Sequence, residues 1–267
     1  MSPDVSERSF EESIEATLAQ DSPNNALDGA GLAGEAVSWF AGRPGGYRKR
    51  VPEDYDRGLC LIPQDVLDFI LATQVKEWEK LKQHHGPAVK EQFLRRVSSE
   101  IERRGALDVL RQGVKDSGCK FQLAYFRPSS GLNEALQRLH AANLFAVVRQ
   151  LHFSQKNEKS LDLALFLNGI PIFTAELKNP LTGQTVEDAI KQYKTDRDPR
   201  EPIFSYGRCL AHFAVDPDLV YVTTHLVGHN TRFLPFNQGK FGGAGNPPVS
   251  PTQKGYATGY LWERIWS

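Results

Sequence analysis

Residues 161–178 read LDLALFLNGIPIFTAELK. Two runs of β-forming residues flank Asn168-Gly169, a pair that supplies the positive backbone φ of a tight hairpin turn. Side chains alternate faces along a strand, so Glu176 and Lys178 share one face of the second strand while Ala175 and Leu177 take the other. Whether Asp162 joins them depends on the turn. A two-residue loop pairs Leu167 with Ile170 and sets Asp162 opposite Ala175, on the wrong face. A three-residue loop, Leu167-Asn168-Gly169 with glycine left-handed, pairs Phe166 with Ile170 and Asp162 with Thr174, diagonally beside Glu176. The stretch therefore predicts an odd loop or a bulge. Two carboxylates with an ammonium two residues on suit a hard divalent cation such as magnesium, and the lysine can stabilise charge on an attacking or departing oxygen. The plain alternative is a salt-bridge cluster on a surface strand. Against it, a strand apolar on both faces has little reason to carry two charges near its end.

The chain has 267 residues, of which 32 are basic and 32 acidic, so its formal net charge is zero. This length allows one large domain or two small ones, and a 40% hydrophobic share supplies a core. Zero net charge argues against a histone-like coat but leaves room for a local basic groove. The three cysteines, Cys60, Cys119 and Cys209, have no metal-ligand spacing and fit a reducing cytoplasm. The opening MSPDVSERSF lacks the apolar core of a signal peptide, and no apolar run is long enough to span a bilayer. A soluble cytoplasmic protein is expected.

Outward from the hairpin, LFAVVRQLHF from Leu144 and KFQLAYFR from Lys120 alternate as strands and are expected in the same sheet, with a helix around Asn133 to Ala142 between them. Helical spacing appears from Pro63 through Leu81, from about Pro87 to Arg104, and briefly over Ala106 to Arg111. His84-His85 lies between the first two of these and reads as surface. Near the start, Phe10, Ile14 and Leu18 predict a helix over Ser9 to Gln20, with Ser9 and Glu12 as a capping box. Glu11 and Glu15 are left without a local job. Asp21 to Asp56 reads as loop ending in the basic cluster Arg43, Arg48, Lys49 and Arg50, which could contact phosphate.

After Lys178, Asn179-Pro180 stops the strand, and Thr185 with Asp188 caps a helix to about Asp196. That region carries Lys191, Gln192, Tyr193, Lys194 and Arg197. Such basic and amide side chains, directly behind an active-site strand, could reach phosphates and base edges. Two more strands are expected near Arg208 to Val215 and Leu219 to Leu226, followed by an irregular stretch from Gly228 to Gly259. No G-x-x-x-x-G-K-[ST] phosphate loop occurs.

The spacing from Asp162 to Glu176-x-Lys178 resembles the core of the PD-(D/E)xK nucleases. Its setting is more specific. FEESIEATL from Phe10, YDRGLCLIPQDVLDFILATQ from Tyr55, VVRQLHFS from Val147, the hairpin within SLDLALFLNGIPIFTAELKNPLTGQT, DAIKQYKTDRDP from Asp188, HFAVDPDLVYVTTHL from His212, TRFLPFNQG from Thr231 and GYLWERIW from Gly259 occur in that order. Together, over nearly the whole chain, they resemble the N-terminal nuclease portion of the R (restriction) subunit of type I restriction-modification enzymes.

That resemblance implies an α/β fold with a mixed central β-sheet of the restriction-endonuclease-like type flanked by helices. It implies a nuclease domain over 1–227 with a helical insertion at about 57–113, and an irregular 228–267 leading toward a motor domain absent from this chain. It implies a magnesium-dependent endonuclease in which Asp162, Glu176 and Lys178 are catalytic. Asp162, Glu176, the Leu177 carbonyl and Glu11 would hold the metal, with Glu15 competing for the last place. Lys191, Gln192, Tyr193 and Arg197 would contact DNA. Partners would be double-stranded DNA and the methyltransferase and specificity subunits, with no membrane; ATP would enter only through the motor. The sequence departs from the family's Q-x-x-x-Y element, since Ala189 stands four before Tyr193. The competing expectation is a truncated remnant that binds DNA or subunits without cleaving.

Overall fold

A computed structural model describes residues 7–19, 46–129, 132–240, 243–249 and 255–267. The hairpin strands β5 (Ser160–Leu167) and β6 (Ile170–Leu177) sit at the centre of a seven-stranded mixed sheet. On one side come β4 (Phe145–His152), antiparallel to β5, and then β1 (Arg48–Arg50), parallel to β4. On the other come β7 (Ala211–Val215), parallel to β6, and the antiparallel β8 (Val220–Thr223) and β9 (Leu234–Pro235). The fold is therefore the expected mixed α/β architecture.

The turn is the two-residue kind, with Asn168 at φ 50° and Gly169 at φ 77°, and Leu167 pairs with Ile170. That corrects the three-residue loop, but the expected bulge is present. Phe166 faces Pro171 and Leu165 faces Phe173, so Ile172 is the extra residue of β6. Pro171 fits there because a bulge tolerates a residue that cannot donate to the ladder. Beyond the bulge Leu163 pairs with Ala175, which sets Asp162 directly opposite Glu176 rather than opposite Thr174. Gly169 is required by contact as well as by φ: a Cβ there would lie 2.4 Å from the Ile62 carbonyl oxygen.

Both faces of the sheet are covered. Val147, Leu163, Leu165, Ala175 and Phe213 pack on one side with α1 (Glu7–Leu18), α2 (Pro63–Thr73), α3 (Val75–His85), α4 (Val89–Arg104) and α5 (Ala106–Gln112). Ala146, Val148, Ala164 and Phe166 pack on the other with Tyr193 of α7 (Val186–Thr195) and Phe204. Since β6 and β7 are parallel, their connection must cross over, and α7 provides the crossover. Thr185 and Asp188 form the expected capping box, and the buried Asp216 at the end of β7 accepts from the Val186 N–H.

Several local expectations change. The helical region after Pro63 breaks at Gln74 into α2 and α3. KFQLAYFR contributes only to β3 (Cys119–Phe121), which pairs with β2 (Val114–Asp116) in a separate two-stranded sheet. The intervening helix is α6 (Glu134–Ala141). Helix α1 starts at Glu7, so Ser9 lies inside it and Glu12 pairs with Arg8 and Arg149 instead of capping. In the basic cluster, Arg48–Arg50 is a strand rather than loop, Lys49 pairs with Glu15 and Arg50 with Asp65; Arg43 is outside the described residues. His85 is half-buried against Asp116. The described parts of 228–267 pack onto the same body. Trp262 and Trp266 join the core with Phe10 and Phe213, and the Trp266 carbonyl accepts from the Tyr47 hydroxyl at 2.6 Å.

Candidate functional site

Strands β4, β5 and β6 bring Gln150, Asp162 and Glu176 side by side, and α1 crosses this end of the sheet. Asp162 is anchored by the backbone, its Oδ2 accepting from the Leu177 N–H at 2.7 Å. Glu176 is fully buried; its Oε1 accepts from Arg197 Nε at 2.6 Å and its Oε2 has no partner. Arg197 also donates to the Ser160 carbonyl at 2.7 Å and lies over the Phe153 ring. Lys178 is buried too, with its Nζ 3.6 Å from Glu7 Oε2.

Glu11 turns inward from α1 and is 5% exposed. Its Oε1 accepts from Gln150 Nε2 at 2.8 Å and its Oε2 from Arg149 Nε at 3.3 Å. Glu15 turns instead to Lys49 and Arg149. Of the two competing glutamates, Glu11 is thus the one beside Asp162. Burial foremost, with the Asp162 charge second, pushes the Glu11 carboxyl up to about 7 against the pull of Arg149. The same two causes, in the same order, hold Glu176 well above the usual carboxylate range despite Arg197. Three carboxylates therefore converge, and burial before all else favours the neutral form of two of them.

A divalent cation is the chemical complement of that arrangement. All the side-chain donors are hard oxygens, one of them the orphaned buried Glu176 Oε2. Among the described residues, no group of three or more His, Cys, Asp or Glu side chains is arranged to hold a metal ion. The reason is local: Arg197 holds one Glu176 oxygen, and Gln150 with Arg149 hold both Glu11 oxygens.

A family model described as type I restriction enzyme R protein N terminus (HSDR_N) matches residues 70–231. The chain belongs to this family. The matched stretch contains Asp162, Glu176, Lys178 and all of α7, whereas α1 with Glu11 precedes it. Comparison with curated proteins and with solved structures gives no match. Membership makes the chain the N-terminal part of a type I restriction enzyme R subunit, a family that works with DNA and with methyltransferase and specificity subunits. No helix among the described residues is long and apolar enough to cross a membrane.

The residues expected to touch DNA divide. Lys191 is exposed and Gln192 half-buried on α7. Tyr193 points the other way: it is fully buried, with its hydroxyl 2.8 Å from Thr174 Oγ1, which in turn lies 2.8 Å from His212 Nδ1. Arg197 is buried against Glu176. Neither presents a surface to a duplex, because the helix face carrying Tyr193 is the one that covers the sheet. Sequence reasoning missed Gln150, Arg149 and Glu7 around the carboxylates. Their only signal was position, since VVRQLHFS supplies the strand that neighbours β5 and Glu7 lies one helical turn before Glu11.

Proposed function

We propose that this domain is a magnesium-dependent DNA endonuclease that hydrolyses phosphodiester bonds for a cytoplasmic type I restriction complex, with the PD-(D/E)xK constellation at Asp162, Glu176 and Lys178. The observation that carries the reading is the buried, partnerless Glu176 Oε2 on the strand position opposite Asp162. Asp162, Glu176, Glu11 and the Leu177 carbonyl would hold the ion. When bound, it supplies Lewis-acid polarisation of the phosphate and a more acidic water. The chain's own residues do the rest. The Leu177 N–H fixes the Asp162 carboxylate. Arg197 donates to Glu176 Oε1, which opposes the upward push of burial on that carboxyl and fixes its rotamer. Lys178 places an ammonium beside the carboxylates, where it can orient water and offset charge on the pentavalent phosphate. Lys191 and Gln192 on the open side of α7 would contact the backbone of double-stranded DNA. ATP would act through the motor part of the R subunit, and the methyltransferase and specificity subunits would recruit it.

A non-catalytic remnant that binds DNA or subunits is the second reading, favoured by the engagement of the Glu11 and Glu176 oxygens with Gln150, Arg149 and Arg197. Nicking of supercoiled DNA separates the two. With magnesium, partner subunits and a motor supplied, the wild-type chain should nick, and Lys178→Ala should reduce the rate by about 100-fold or more. Equal rates for the two proteins, or no magnesium-dependent nicking, would sink the catalytic reading.

A further inference from the structure

The residue that bridges the carboxylates is Gln150, to which the nuclease reading gives no role. In the β4–β5 ladder Arg149 faces Leu163 and Leu151 faces Leu161, so Gln150 stands opposite Asp162. Its φ is 49°, a left-handed conformation in the middle of a strand. That conformation is unfavourable for a non-glycine residue, so the surrounding structure must hold it there. Its consequence is where the side chain goes. Nε2 donates to Glu11 Oε1 at 2.8 Å and comes within 3.5 Å of Asp162 Oδ1, while Oε1 accepts from Ser160 Oγ at 2.8 Å.

The amide NH2 thus lies between two carboxylate oxygens, acceptors that a divalent cation also favours. The other end of the amide is held by a hydroxyl, which donates and accepts equally well. A half-turn of the amide would therefore keep a hydrogen bond to Ser160 and present the oxygen where the NH2 now sits. Gln150 is solvent-exposed, so an ion arriving from water meets it first. The buried Glu176 Oε2 without a partner is an independent sign that this cluster suits a cation. Resting on the nuclease reading above, we propose that Gln150 is a metal ligand: its amide bridges Glu11 and Asp162 in the cation-free protein and turns its oxygen onto the ion when a divalent cation binds.

The test is Mn2+ binding to the full 267-residue chain, read by electron paramagnetic resonance of free Mn2+, with circular dichroism as the check of folding. Wild type should bind saturably, and Asp162→Asn should weaken binding strongly. Gln150→Met keeps length but offers a soft thioether, so affinity should fall roughly tenfold or more. Gln150→Glu restores a hard oxygen and should bind at least as tightly as wild type, with a larger Mn2+-induced rise in Tm. A merely structural amide predicts the opposite for Gln150→Glu, because a third carboxylate cannot donate to the other two. If Gln150→Met matches wild type while Asp162→Asn is weakened, Gln150 is no ligand and the nuclease reading stands. Folded Gln150→Glu that binds more weakly than wild type overturns the ligand role in the same way. Absence of saturable Mn2+ binding to wild type, or full affinity in Asp162→Asn, overturns both. Should Gln150→Met fail to fold, the Gln150→Glu comparison decides alone.

Discussion

Glu176 shows what a single buried carboxylate demands of its neighbours. It is fully enclosed, and one oxygen rests on Arg197 at 2.6 Å while the other has no partner. Breaking such a pair from one side leaves an uncompensated buried charge, whereas removing both charges does not. Arg197→Met should therefore destabilise the protein by about 3 kcal/mol in urea unfolding, and Glu176→Gln/Arg197→Met by clearly less than the sum of the single changes. Strict additivity would show that the pair is not coupled. Arg197 also marks a limit of reading residues one at a time. An arginine just beyond a basic helix suggests phosphate contact, and only its burial against Glu176 assigns it to the carboxylate. Glu11 is the reverse case. From sequence it is one of two glutamates a turn apart, and the 2.8 Å bond to Gln150 separates it from Glu15.

At the scale of elements, the β5–β6 hairpin depends on two local features, the Asn168-Gly169 turn and the Ile172 bulge. Gly169 needs its left-handed φ and also lies against the Ile62 carbonyl and the Val66 N–H, 2.4 Å and 2.8 Å from where a Cβ would stand. Gly169→Ala should cost about 2–4 kcal/mol by the combined strain and clash, measured as a lowered urea midpoint with unchanged slope. The bulge moves Asp162 from opposite Ala175 to opposite Glu176, and Pro171 beside it is a residue that a bulge tolerates. A second link joins β6, α7 and β7 through the buried Thr174, Tyr193 and His212. Burial pushes His212 down to about 3 from a usual value of 6.5. A depressed folded-state pKa means stability that is present above 6.5 and lost as pH falls through 3. Wild type should thus lose on the order of a few kcal/mol across that window, and His212→Gln should lose markedly less, as read by chemical unfolding at stepped pH.

For the whole molecule, the metal reading predicts that the converging carboxylates make stability depend on pH and on divalent cations together. Glu11 is raised from 4.5 to about 7, so its contribution is fully present below 4.5 and lost as pH rises through about 7. Without metal, Glu11→Gln should therefore flatten the stability lost between those values. With wild type at pH 7.5, magnesium at about a hundred times its Kd should raise Tm by roughly 5 °C, and Asp162→Asn should abolish that rise. A magnesium-independent Tm in wild type would contradict the metal reading.

The sequence by itself determined the hairpin, the need for an odd loop or a bulge, the capped helix after Pro180 and, through the order of its motifs, the family and with it the mixed α/β class. The hairpin and the helix follow from local rules: alternation, glycine at positive φ and paired caps act within a few residues. Tertiary structure alone decided that Asp162 faces Glu176, that Arg197 and Tyr193 turn inward, that Gln150 lies between Glu11 and Asp162, and that KFQLAYFR leaves the main sheet. The physical reason is separation along the chain. Gln150 and Glu11 are 139 positions apart and Arg197 and Glu176 are 21 apart, so no periodicity within one element encodes their contact. Burial and charge select those partners only once the sheet and its covering helices have closed around them.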